Sequence, residues 1–217
     1  MVAAGAAPEE PGGRDARGGG RLQKKLADTL AEEVERHPGT PVEVWATDEH
    51  RLGLKPVRRR VWAPKGVRPV ALGHHRFEWL YVTAFAAPAT GETVWYLSNG
   101  IDKRLFEWML AAFARETGAG RDRIILLVLD GAGWHTEPGL AVPEGIRLVY
   151  LPPYTPELQP AEHLWPLVDE PIVNRYFDTL DQLDAVLAER CRFLGNDRDL
   201  VAAYINFHWW PMPEAAM

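Results

Sequence analysis

The sequence predicts an α/β fold built on a mixed sheet, and three observations carry that expectation. Segments with strand character, VEVWATDEH, VRRRVWAPKG, FEWLYVTAFAAPATG and TVWYLSNG, follow one another in the first half of the chain. A helical pattern, DKRLFEWMLAAFARETG, then leads into an apolar run from Ile124 to Leu129 that ends at Asp130 and turns through Gly131 and Gly133. Such a run reads as a strand buried on both faces, which requires helices on each side of the sheet.

Taken in order, residues 1–20 are rich in Gly, Ala and Pro, have almost no large apolar side chains, and are expected to form a disordered tail. Residues 21–39 read as a linker helix. There Leu22, Leu26, Leu30 and Val34 recur at helical spacing, and His37, Pro38 and Gly39 close the pattern. Among the strand segments, Gly and Pro join the second to the third, and ATG before ETVWYL reads as a hairpin turn. The next helix places Leu105, Met109 and Ala112 on one face and stops at Gly118. GIRLVYLPPY is a further short strand halted by two prolines. From Pro160 to about Phe207 the pattern is helical, broken near Pro166 and Pro171. Cys191 there continues the spacing of Leu180, Leu183, Leu187 and Leu194, a core position. Trp45, Trp79, Trp95 and Trp108 lie in strand or helix patterns and are assigned to the core, while HWW at 208–210 has no clear place.

A chain of 217 residues with 47% hydrophobic content suffices for one well-filled core. Its apolar runs fall far short of the roughly 18 to 20 residues that span a bilayer, and the first residues lack a signal core. A soluble, cytoplasmic protein with no membrane partner is expected. The single cysteine cannot form an internal disulfide, in keeping with a reducing compartment. The net charge of -6 argues weakly against nucleic acid, but Arg51 to Arg76 holds eight Lys or Arg and no acid. That segment fits either phosphate contact or a solvated edge strand blunted by cations.

Three carboxylates stand where an α/β sheet places its chemistry. Asp48 ends the strand VEVWATD and Asp130 ends the buried strand, and open α/β sheets build their sites at the carboxyl ends of strands. If the two strands are parallel neighbours, both carboxylates emerge at one edge. Glu162, two residues after Pro160, falls in the first turn of a helix. Carboxylates brought together repel, a divalent cation removes that conflict, and hard oxygen ligands select Mg²⁺ or Mn²⁺. Glu49 points the opposite way along the strand and is assigned no metal.

ATDEHRLGL, LVLDGAGWH and LPPYTPELQPAEHLW, in this order, resemble the three signature blocks of the DDE transposases of the bacterial insertion-sequence family numbered six-thirty, relatives of the mariner-like elements. The resemblance extends over roughly residues 22 to 211 and includes RRVWAPKG, FEWLYV and FHWWP. It implies a ribonuclease H-like fold, a mixed five-stranded sheet flanked by helices, with a catalytic core at 40–177 and a helical extension at 178–217. It also implies that Asp48, Asp130 and Glu162 are the catalytic and metal-binding triad. The reaction implied is metal-dependent hydrolysis at the element ends, then attack of the freed 3′-hydroxyl on target DNA. A pair of Mg²⁺ or Mn²⁺ ions would serve it, bridged by Asp48, with Glu162 completing one metal shell.

Double-stranded DNA and a second copy of the chain are the implied partners, with the protein on the nucleoid when bound. Candidate DNA contacts are Lys55, Arg58, Arg60, Lys65 and His135. On a strand, Arg58 and Arg60 would share a face opposite Arg59. His135 and Trp134 suit either contact with the scissile phosphate and flanking base or simple packing. The sequence departs from the family in three ways: a Gly-rich stretch stands where a helix-turn-helix region usually precedes the core, 31 residues separate Asp130 from Glu162, a few fewer than usual, and Gln159 replaces the commoner Asn. Pro166 is expected to interrupt the helix that carries Glu162. Two further readings stand beside the transposase: a truncated remnant that binds DNA or a partner without catalysis, and a repurposed ribonuclease H-like nuclease.

Overall fold

The computed structural model describes residues 15–67, 69–70, 72, 76–136, 138–153, 155–207 and 210–211. The expected tail up to residue 14, and two of the three residues of HWW, lie outside these. In chain order the elements are α1 (Asp15–Arg36), β1 (Val42–Gly53), β2 (Trp79–Ala87), β3 (Glu92–Ser98), α2 (Lys103–Thr117), β4 (Ile124–Leu129), α3 (Gly133–Thr136) and β5 (Ile146–Tyr150). Two 3-10 turns, Pro156–Leu158 and Pro160–Leu164, then lead into α4 (Trp165–Asp169), α5 (Leu180–Asn196) and α6 (Arg198–Ile205).

The five strands form one mixed sheet in the order β3-β2-β1-β4-β5. β1 runs antiparallel to β2 and β2 to β3, whereas β1 and β4, and β4 and β5, are parallel. This is the mixed five-stranded, ribonuclease H-like sheet that the sequence implied. The parallel pairing of β1 with β4 ends at Ala46 opposite Val128. Asp48 and Asp130 each follow two residues later and lie at the same level, but only Asp130 ends its strand: β1 does not stop at Asp48 as expected, because its pairing with β2 continues through Asp48 opposite Ala84 to Gly53.

Alternation along the strands sorts side chains into two layers. Trp45, Phe85, Ile125, Leu127 and Leu129 face α2 and pack on its Phe106, Met109, Leu110 and Phe113. On the opposite face, Val42, Val44, Ile124 and Leu126 meet Leu22 and Leu26 of α1. Beside them, Leu80, Val82 and Ala84 meet Leu183, Leu187 and Leu194 of α5 and Val201 of α6. All six residues of β4 are buried, and each such Leu or Ile contributes about 1.5–3 kcal/mol relative to exposure. α5 and α6, expected as an extension, thus form part of the layer that covers the sheet. The helix expected at 21–39 begins at Asp15 and docks its leucines in the core, so growth outward from a docked segment outweighs the helix cost of glycine. Gly91, at φ 70°, closes the β2–β3 hairpin, and a Cβ there would meet the Arg198 carbonyl oxygen at 1.9 Å.

Two further expectations need correction. VRRRVWAPKG is no strand: residues 56–64 have no regular structure and belong to an exposed arm between β1 and β2. The physical reason is that β1 and β2 already pair on both sides, and Pro56 and Pro64 supply no N–H to a ladder. Arg58 and Arg60 therefore do not share a strand face. Asn174, in the left-handed region at φ 56°, pins the arm's base. Its amide N–H donates to the Val57 carbonyl at 2.8 Å, its Nδ2 donates to the Arg59 carbonyl at 3.0 Å, and its Oδ1 accepts from the Arg59 N–H at 3.0 Å. The second correction is Trp108, which is 55% exposed on the outer side of α2, its ring edge-on to Tyr96. Trp45 is fully buried and Trp79 and Trp95 half-buried. Cys191 is buried in the core, and desolvation pushes its thiol up to about 12. Among the described residues no helix is long and apolar enough to cross a membrane.

Candidate active site

Asp48, Asp130 and Glu162 line one open cleft of about 450 Å³ beside the middle of β1 and the carboxyl end of β4. Its remaining walls are Gly131, Ala132, Leu151, Pro152, Pro153, Thr155 and Gln159, with no lysine or arginine among them. Three acids that the sequence scatters over more than a hundred positions are thus brought to one place. Of the candidate DNA contacts, Lys55, Arg58, Arg60 and Lys65 are exposed on the arm.

Burial dominates at Asp48. Desolvation raises its carboxyl to about 7, and the nearby charges of Glu49 and Glu162 push the same way, against a hydrogen bond that Trp165 Nε1 donates to Oδ2 at 2.9 Å. The Trp165 ring is itself stacked on His50, with centroids 5.0 Å apart and planes at 16°. His50 Nε2 in turn lies 2.9 Å from Asp169 Oδ1.

Asp130 is in the opposite state. Its side chain is half exposed, and a hydrogen bond from His135 holds its carboxyl below the usual range, aided by the Ala132 N–H at 3.0 Å. His135 Nδ1 lies 2.8 Å from Asp130 Oδ1, and Nε2 lies 3.0 Å from Glu49 Oε1. The imidazole is fully buried, which alone would favour its neutral form. The carboxylates on either side outweigh that and raise it to about 9, so it is an imidazolium at neutral pH. The Trp134 indole N–H also lies 3.1 Å from Nε2; a protonated nitrogen has no lone pair to offer it, so Glu49 is the effective partner.

His135 was a candidate DNA contact, and the structure corrects this: with both ring nitrogens engaged inside the protein and the Phe106 ring tilted against it, centroids 4.4 Å apart, no part of it reaches the surface. Glu49 does face away from Asp48, as strand alternation requires, and its task there is to hold His135.

Glu162 sits in the turn Pro160–Leu164 rather than in an α-helix, and Pro166 falls in the first turn of the separate helix α4, where its missing N–H costs nothing. Burial raises the Glu162 carboxyl, opposed by His163 and reinforced by Asp130. Gln159 aims this turn. Buried at its start, it donates from Nε2 to the Thr47 carbonyl at 2.9 Å, one residue before Asp48.

Among the described residues no three His, Cys, Asp or Glu side chains converge into a ready metal cage. The donor set nonetheless fits Mg²⁺ or Mn²⁺. Among the described residues the cleft carries three carboxylates and no lysine or arginine, and no cation contributes to the surroundings of Asp48. An open arrangement suits Mg²⁺, which keeps waters and substrate phosphates in its shell.

The model for the DDE superfamily endonuclease family matches residues 43–184, a stretch that holds all three acids. The chain belongs to that family. The chain is also similar to an uncharacterized protein, y4pE/y4sA, of Sinorhizobium fredii (strain NBRC 101917 / NGR234), 34% identical over 106 residues that make up 48% of this chain and 77% of that one. In fold, the chain resembles the catalytic domain of Mos1 mariner transposase at a TM-score of 0.53 and 16% identity, covering 91% of both chains. It also resembles the mariner Mos1 paired-end complex with Mg at a TM-score of 0.57 and 14% identity, covering 96% of this chain and 64% of that one. These structures share the ribonuclease H-like architecture of transposase catalytic domains.

Glu49, His50, Trp165 and Asp169 were missed as site residues by sequence reasoning. The available signal was adjacency: Glu49 and His50 follow Asp48, and Trp165 follows Glu162 by three.

Proposed function

We propose that this chain is the catalytic domain of a DNA transposase that cleaves DNA strands and joins them to a target by in-line phosphoryl transfer. The observation that carries this reading is the convergence of Asp48, Asp130 and Glu162 on one cleft, in a member of the DDE superfamily. These three residues would hold Mg²⁺ or Mn²⁺. Bound there, the ions would neutralise phosphate charge and activate the attacking oxygen. The chain's own residues shape the rest: Gln159 sets the Glu162 turn against β1, and Pro152 and Pro153, just past the end of β5, form part of the cleft wall. Lys55, Arg58, Arg60 and Lys65 on the arm would meet the phosphates flanking the cleft, fixing position without reading sequence. Both the metal-bound mariner complexes and the paired-end complex with a transposon end support the reading by likeness of fold.

The test is nicking of supercoiled plasmid in Mn²⁺ by the native chain and by Asp48→Asn, Asp130→Asn and Glu162→Gln. Nicking by the native chain and none by the three variants is the expected result; activity that survives in all of them would remove the cleft from the chemistry.

A further inference from the structure

One carboxylate oxygen on each of the two cleft aspartates is already taken by an aromatic N–H. Trp165 Nε1 holds Asp48 Oδ2 at 2.9 Å, and His135 Nδ1 holds Asp130 Oδ1 at 2.8 Å. Each donor is backed in turn. His50 stacks on Trp165 and is tied to Asp169 at 2.9 Å, while Glu49, only 5% exposed, lies 3.0 Å from His135 Nε2. Three consecutive residues of β1 therefore have three destinations: Asp48 enters the cleft, Glu49 supports the neighbour's donor on the far face, and His50 supports Asp48's own donor.

A carboxyl group swings broadly about its terminal torsion, and a group that presents either oxygen at random loses affinity for a cation that needs one in place. We infer that Trp165, backed by His50 and Asp169, and His135, backed by Glu49, are positioning residues that lock one oxygen of Asp48 and of Asp130 so that Asp48 Oδ1 and Asp130 Oδ2 are presented to a divalent cation. The inference rests on the metal-binding reading above and adds to it which oxygen of each aspartate serves and what holds it. Outer partners of this kind change metal affinity by about 10- to 100-fold.

Titration calorimetry with Mn²⁺, run beside thermal melting, tests it on the native chain, Trp165→Phe, His135→Ala, His135→Asn and Asp130→Asn. Phenylalanine keeps a ring on His50 and removes the N–H; asparagine keeps a donor near the place of Nδ1. Trp165→Phe and His135→Ala should each weaken Mn²⁺ binding about tenfold, and His135→Asn should recover to within about threefold of native. Native-like affinity in Trp165→Phe and His135→Ala, with binding abolished in Asp130→Asn, would overturn the positioning role and leave the metal reading intact. No binding by the native chain would overturn both. His135→Asn as weak as His135→Ala would reduce His135 to packing and overturn its half of the inference. Should His135→Ala fail to fold, Trp165→Phe and His135→Asn still decide the outcome.

Discussion

Asp48, within β1, and Asp130, just past the end of its parallel neighbour β4, lie at the same level and line the same cleft, yet their surroundings drive them apart. Asp48 is desolvated, faces other carboxylates and receives only a neutral donor, so its carboxyl rises to about 7. Asp130 is half exposed and paired with a buried imidazolium, so its carboxyl falls. The contrast teaches that a pair of acids can be kept together without a metal by giving only one of them a cation. Asp130 stays an anion because His135 matches it, and Asp48 can meet the shared charge by holding a proton. Pairs of titratable groups pushed in opposite directions are a recurrent mark of functional sites.

Removing either member of the pair should have the largest effect. Asp48→Asn and Asp130→Asn are each expected to lower Mn²⁺-dependent nicking by on the order of 10²–10³-fold, read from initial rates on plasmid. The two should differ in what precedes chemistry. A cation must displace the proton on Asp48, so Mn²⁺ affinity in the native chain should rise by up to about tenfold per pH unit below pH 7 and level off above it. In Asp48→Asn any residual affinity should be nearly flat with pH, and calorimetry at several pH values would show it.

Stability should separate the two aspartates by sign. Asp48 has a raised folded-state value, from 3.8 to about 7, so the native state retains a proton that the unfolded chain has released, and stability declines as pH rises through that window. At pH 8, Asp48→Asn should therefore stabilise the metal-free chain by roughly 1–3 kcal/mol. Asp130→Asn should destabilise it by about 1–2 kcal/mol, a figure reduced for the partial exposure of the side chain. Urea unfolding of both variants, each giving the same sign, would collapse the comparison.

His135 gives a smaller effect of the same pH sense as Asp48, in a window at higher pH. Its folded-state value is raised from 6.5 to about 9, so its stabilising contribution is complete below about pH 6.5 and disappears as pH climbs through about 9. Melting temperatures from pH 6 to 10 should fall over that range in the native chain and less steeply in Glu49→Gln. The smallest change should come from the arm, which touches neither aspartate. Arg58→Ala with Arg60→Ala should leave stability within about 0.5 kcal/mol and lower the log–log salt slope of DNA binding by about 1.8; an unchanged slope would make the arm a solvated surface only.

Much of this was legible in the chain itself. Periodicity placed all five strands of the sheet, because a buried strand such as IILLVL and a hairpin closed by Gly91 leave strong local marks. Three signature blocks marked Asp48, Asp130 and Glu162. Two readings failed for want of context. VRRRVWAPKG has the residues of a strand, but the two strands it connects, β1 and β2, are each already paired on both sides. His135 looks like any surface histidine next to a loop, and only the fold shows that Glu49, 86 positions earlier, meets it from the far side of β1.

By itself, then, the sequence determined which residues could carry charge in or just after which strands, because apolar periodicity and turn chemistry act over a few residues. Tertiary structure alone decided which acid is ionised and which oxygen of each is held. Desolvation and pairing depend on what lies within a few ångströms, and those neighbours come from β1, α3 and α4, elements far apart in the chain.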